Sequence, residues 1–325
     1  MKHFLLLLSL LISFAARSQV VYQTSADHGV YALLEELASD KVIDVNELIK
    51  PWSRSYIATK LQEAYEQKDQ LSKRQKEEIE FYMKDYRLEL VYNTKGMKPL
   101  NIFPKKDHIA TSLNTMAVTY RDSLVALSQR PIYGLEYFIN DNEAAFHRWG
   151  GAELFGYISE NFGAYTSLRD NHENVVLTSP GYFNQRIGTP QKGSVKGGYD
   201  YSEARGGIMA SWNWGAIGFV KDHAVWGNNY IGSNILSGRT PSFGQIKLVL
   251  NPVRWFEFNY IHGWLVSDVV DSSRSYWDGD TYRSVMHQKY IAANMFTVMP
   301  WKHLNISIGN SIIYSDIGVQ AAYLV

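Results

Sequence analysis

The chain has 325 residues, with 32 basic and 32 acidic side chains, no net charge and no cysteine. Balanced charge without a polybasic run gives no electrostatic case for nucleic acid as a partner. The missing cysteine excludes disulfides, thiolate metal sites and a thiol nucleophile. Aromatic residues make up 14%, including 22 Tyr and 9 Trp, a content that suits the aromatic girdles of membrane barrels.

Residues 1–18 read as a secretory signal: Lys2 and His3, an apolar core from Phe4 to Phe14, then Ala16-Arg17-Ser18 as a small-x-small cleavage site before Gln19. The core is shorter than the roughly 20 apolar residues of a spanning helix. No Cys follows to carry a lipid anchor. No other stretch reads as a spanning helix, so a membrane location for the mature chain requires a closed barrel.

Residues 19–26 read as an exposed linker, and residues 27–92 as a helical periplasmic module. Asp27 can cap a first helix carrying Tyr31, Leu33, Leu34 and Leu37. Ser53, after Pro51-Trp52, can cap a second carrying Ile57, Leu61 and Tyr65. Ser72 with Gln75 makes a capping box for a third carrying Ile79, Tyr82, Met83 and Tyr86. Three short helices bury little surface alone, so the module is expected to dock on something larger. It fits either a plain helical domain or plug, or a periplasmic contact element.

From about Ile109 the period becomes two. Met116, Val118 and Tyr120 alternate with Thr115, Ala117, Thr119 and Arg121. Ile208, Ala210, Trp212 and Trp214 alternate with Met209, Ser211 and Asn213. Phe256, Phe258, Tyr260 and Trp264 oppose Glu257 and Asn259. Leu304, Ile306, Ile308, Ile312 and Tyr314 alternate with Asn305, Ser307, Gly309 and Ser311. Roughly ten such segments follow, many near the 9–11 residues that cross a bilayer at a tilt. The expected fold is mainly β: an antiparallel transmembrane β-barrel over residues 100–325, preceded by the helical module. Asn251-Pro-Val-Arg and Met299-Pro-Trp-Lys-His read as tight turns, while residues 170–200 and 267–285 read as long polar loops. Short turns on one side and long loops on the other are the topology of outer-membrane barrels. The chain stops at Ala321-Ala-Tyr-Leu-Val325 in an apolar run, so the barrel is expected either to be incomplete at its C-terminus or to close early as a small one.

The run from Trp226-Gly-Asn-Asn-Tyr230 through Ser233, Leu236 and Ser237 to Pro241 resembles the capsule assembly protein Wzi family, which carries Trp-Gly-Pro-Gly, then Ser-Leu-x-Leu-Ser, then a Pro before a strand. Asn228 stands where the family usually has Pro. The segment from Tyr290 to Tyr314, with Pro300-Trp301 and Gly309-Asn310, is similar to a late hairpin of that family. Tyr31-Ala-Leu-Leu-Glu-Glu-Leu and Lys50-Pro-Trp-Ser-Arg resemble the helical segment of its Bacteroidetes-type members. The resemblance implies a non-catalytic outer-membrane barrel that binds surface polysaccharide and helps attach or assemble capsule, with the helical module on the periplasmic side.

No Gly-x-Ser-x-Gly, His-Glu-x-x-His, phosphate loop or dinucleotide fingerprint is present. The expectation is therefore no enzyme and no cofactor. Asp278-Gly279-Asp280 echoes the start of a calcium loop without its later ligands. His147-Arg148-Trp149 and Lys221-Asp222-His223 read as parts of a lumen ion-pair network. Sugar binding needs flat rings and a few fixed polar groups. Trp226, Asn228, Asn229, Tyr230, Asn234 and Arg239 supply both in one stretch, and Tyr276, Trp277, Asp278 and Arg283 in another. Arg239 and Arg283 are the candidate carboxylate partners. The expected partners are capsular or exopolysaccharide, outer-membrane lipid and polysaccharide-export machinery. The alternatives are a porin-like channel and a soluble secreted carbohydrate-active β-protein.

Overall fold

The computed structural model describes residues 19–25, 28–90, 107–112, 115–140, 143–175, 198–227, 233, 235–238, 240–320 and 323. The signal reading and the Asp27 cap fall outside them. The helices are α1 (His28–Ser39), α2 (Arg54–Glu66) and α3 (Lys73–Asp85). The strands are β1 (Ile49–Lys50), β2 (Ile109–Ser112), β3 (Ala117–Arg121), β4 (Val125–Asn140), β5 (Glu143–Ile158), β6 (Phe162–Glu173), β7 (Tyr199–Trp212) and β8 (Gly215–Asp222). They continue with β9 (Val225–Trp226), β10 (Leu236–Ser237), β11 (Phe243–Val253), β12 (Phe256–Leu265), β13 (Tyr276–Asp278), β14 (Thr281–Arg283), β15 (Lys289–Trp301) and β16 (Leu304–Ser315). None of the described helices is long and apolar enough to cross a membrane.

Eleven strands form one antiparallel sheet in the order β16-β15-β12-β11-β8-β7-β6-β5-β4-β3-β2, a meander in which each long strand pairs with its sequence neighbours. β4 and β5 run 16 residues each and β7 runs 14, well beyond the mean soluble strand of about 5–6. Cross-strand partners share a face, so the register sorts the side chains into two sets. One face carries Leu127, Tyr133, Leu154, Phe162, Ile208, Phe219, Ile246, Phe258, Phe296 and Ile308, and these are largely exposed. The inner face carries Arg130, Glu153, Arg169, Glu203, Arg205, Asp222, Lys247, Glu257 and Asn259. Large apolar side chains thus point away from the body of the protein and many charges point into it, while Arg148, Asp170, Lys221 and the His172–Asp200 pair lie on the outer face.

At one end lie the tight turns 122–124, 159–161, 213–214, 254–255 and 302–303. At the other end β2 and β3 and then β4 and β5 are joined by short links, while the stretches between β6 and β7, between β8 and β11 and between β12 and β15 are long. Asp122 sets one tight turn by accepting from the Leu124 and Val125 N–H groups at 2.7 Å each, the Asx geometry of a turn. The Tyr120 hydroxyl and these two amides bring its carboxyl down to about 2. Met116 and Trp214, expected in strands, lie in turns. Pro252 and Pro300, expected in turns, lie at strand ends where the ladder shifts register, between Leu250 and Val253 and between Val298 and Trp301. A bulge leaves a residue out of the ladder, so a missing N–H costs nothing there.

The helical module packs on the inner face. Its core is Val30, Leu34, Leu37, Ile57, Leu61 and Ile79 with their neighbours. Ser53 caps α2 through the Tyr56 N–H, and Ser72 with Gln75 forms the full capping box of α3. Residues 19–25 are not an exposed linker. Val21, Tyr22 and Gln23 are buried, because Arg54 N donates to Val21 O and Gln23 N to Trp52 O, pinning the segment between module and sheet. The module sits toward the tight-turn end, where Gln19 donates to Ser159 O and His303 N to Asp44.

Candidate functional site

An ion chain holds the module to the sheet. Arg54, fully buried, donates from Nε to Glu89 at 2.7 Å, from Nη1 to Gln23 Oε1 at 2.7 Å and from Nη2 to Asp85 O at 2.8 Å. Its guanidinium lies between the rings of Tyr86 and Phe155, 4.3 and 4.1 Å from their centres. Tyr157 of β5 donates to Glu89 at 2.6 Å. Arg130 of β4 bonds both Asp85 and Glu153. Burial opposes charge on Arg54, but Glu89 and Asp85 keep it firmly protonated, above its ordinary value. Burial would likewise raise the Asp85 carboxyl, yet Arg130 and Arg54 hold it below the usual carboxylate range.

Beside this chain a cavity of about 390 Å³ opens between α3 and the inner face of β4 to β7, within the size range of ligand pockets. Trp149 forms one wall. A Cβ at Gly134, its cross-strand partner, would overlap the indole, so glycine lets the ring lie against the β4 backbone. Arg169 stacks on the ring at 4.5 Å. Arg205 lines the cavity too, fixed by two 2.8 Å bonds to Asp222 and one to Tyr22 O. From Trp149 the rings step toward the long-connection end. His147 lies 4.9 Å from Trp149 and 6.3 Å from Tyr201, nearly parallel to the latter. His147 Nε2 meets Asn171 Oδ1 at 3.0 Å, and Tyr201 donates to Glu173 at 2.9 Å. Rings flanked by fixed donors and acceptors form the kind of surface on which a hydroxylated ring stacks and bonds. Part of the expected ion-pair network lies on the inner face, Arg205 with Asp222, His147 with Glu136, and His223 with Glu203, whereas Arg148 and Lys221, expected in it, fall on the outer face by register.

Of the residues expected to bind sugar, Asn228, Asn229, Tyr230, Asn234 and Arg239 lie outside the described residues. Trp226 is a correction. It is wholly buried among Ile49, Leu236, Phe243, Ile261 and Ile291, and it presents no face to a ligand. Its strand β9 is clasped between β1 of the module and β10, which makes it a joint between the module and the long connection. Tyr276 and Arg283 meet on one face of a hairpin, whereas Trp277 falls on its other face. Tyr276 pairs with Arg283 across the β13–β14 hairpin, Trp277 contacts Tyr282 at 5.3 Å, and all three are exposed. Asp278-Gly279-Asp280 is the tip of this hairpin, with Gly279 at φ 58° and Asp278 paired to Arg283. The residues missed, Trp149, Arg169, Asn171 and Tyr201, carried a signal. Trp149 shares strand parity with His147 and Glu153, so it is an aromatic on the polar face.

Asp271, His287 and Asp316 bring metal-type ligand atoms within 4.8 Å of one another. Arg274 bonds both carboxylates and His287 bonds Asp316, so these ligand atoms are already engaged within an ion-pair cluster. Hydrogen bonds from Ser273 and Arg274 hold Asp271 below the usual carboxylate range. Searches against protein-family models, curated proteins and solved structures return no match for this chain.

Proposed function

We propose that the protein is an outer-membrane β-barrel that binds exported capsular or exopolysaccharide and helps attach or assemble it at the cell surface, as its resemblance to the Wzi family implies. The row of rings on the charged inner face carries this reading. Barrel walls normally turn their aromatics outward to the interface girdles, whereas Trp149, His147 and Tyr201 turn inward, among Asn171, Glu173 and Arg169. The exposed apolar outer face, on strands long enough to span, supports a lipid-facing wall, because a charged lumen and greasy exterior are what a bilayer selects. Eleven strands leave β2 and β16 each with one partner among the described residues, and barrel closure belongs to this proposal. The Tyr276, Trp277 and Arg283 hairpin, at the end with long connections, offers an exposed platform at the cell surface. The module docked on the inner face favours a binder over an open channel. Deleting the gene in an encapsulated host and assaying cell-bound against shed polysaccharide tests the role. Loss of retention is expected; unchanged retention overturns it.

A further inference from the structure

A second cavity, of about 380 Å³, lies between the module and the inner face of β8, β11 and β12. It shares no lining residue with the first and reaches Gly215 and Asn251 beside the tight turns. Lys247 projects into it. Lys247 is only 4% exposed, and its ammonium lies 4.0 Å from the centre of the Tyr22 ring. Among the described residues it makes no hydrogen bond or ion pair. An ammonium has three donors to satisfy, and burial without an acceptor is costly. Glu257 lines the same cavity. Its Oε1 accepts from Asn46 at 3.1 Å and Asn259 at 2.6 Å, while its Oε2 receives no donor among the described residues. The register places Lys247 opposite Ile261, four residues from Glu257 along β12, or about 13 Å of backbone. The cavity therefore presents one donor centre and one acceptor centre from neighbouring strands, walled by Tyr22, Trp52 and Tyr56.

A neutral sugar would leave the Lys247 charge unmet, and a dianion such as phosphate would meet repulsion from Glu257. A single carboxylate on a hydroxylated body satisfies both groups. We infer that this cavity binds a polyhydroxylated monocarboxylate of the uronic-acid kind, its carboxylate on Lys247 Nζ and a ring hydroxyl on Glu257 Oε2. This site is distinct from the ring row proposed for the polymer.

The test is calorimetric titration of the full chain in detergent with D-glucuronate, its neutral amide and inorganic phosphate. Glucuronate is expected to bind, with the amide and phosphate weaker by about tenfold or more, the scale of one charge-assisted hydrogen bond. Lys247→Met should lose binding to a similar degree, and Lys247→Arg should keep most of it. Equal binding of glucuronate and its amide, no glucuronate binding, or undiminished binding by folded Lys247→Met overturns the inference. The three-ligand comparison uses the unaltered protein, so it decides even if Lys247→Met does not fold. Polysaccharide retention by cells is read independently, so failure of either proposal is seen separately.

Discussion

Arg54 is the residue on which the docking of the module turns. Its charge is enclosed by Glu89, Gln23, Asp85 and two rings. Removing one partner from a buried ion pair typically costs about 3–5 kcal/mol, because the other charge is left uncompensated. Arg54→Met should therefore lower the free energy of module undocking, from urea titration, by an amount in that range, and Arg54→Met with Glu89→Gln should recover part of the loss. Asp85 adds a pH dependence. Its folded carboxyl is depressed, so its contribution is complete above the unfolded value near 3.9 and is lost as pH falls through the lower folded value. Protease sensitivity of residues 19–90 should rise below about pH 4 and stay flat from pH 5 to 8. Gly134 is the corresponding lever at the ring row. Gly134→Ala pushes a methyl into the Trp149 indole, so polysaccharide binding measured by titration should fall while the protein still folds. Trp149 was legible in sequence as an aromatic out of phase with its strand, but nothing in a linear sequence says that Arg169 stacks on it. Trp226 failed the other way: its neighbours promised a surface motif, and only the small three-stranded sheet reveals that it is enclosed.

At the scale of elements, capping chemistry and period were read directly from residues. Ser53 and Ser72 each do what their spacing implied, and the helices they start match the apolar repeat. Where the module goes was not readable, because its docking depends on side chains from β4, β5, β7, β11 and β12 that are distant in sequence. The linker reading of residues 19–26 failed for the same reason: Val21 and Tyr22 look ordinary until Arg205 and Lys247 are found beside them. The module covers much of the inner face, so it should act as a plug. The intact protein is expected to be silent in planar bilayers, and deletion of residues 28–90 is expected to produce steady conductance. Conductance of the intact protein would instead favour a channel.

At the scale of the whole molecule, alternation along each strand predicted the two faces before any pairing was known, and the register bears them out. Strand ends were less legible, because bulges at Pro252 and Pro300 carry the ladder past residues that look like turns. If the outer face meets lipid, Phe219→Arg should cost about 2–4 kcal/mol near the midplane, whereas Ser311→Arg on the inner face of β16 should cost little. Urea titrations in lipid vesicles would compare them directly. One further consequence concerns force. Strand β9 sits between β1 of the module and β10 of the long connection, and Gly227 N also donates to Leu48 O at 2.7 Å. A tug on that connection is therefore shared with the module and, through Arg54, with β4 and β5. Load applied at the long connection thus reaches the module directly, with Trp226 as the rivet.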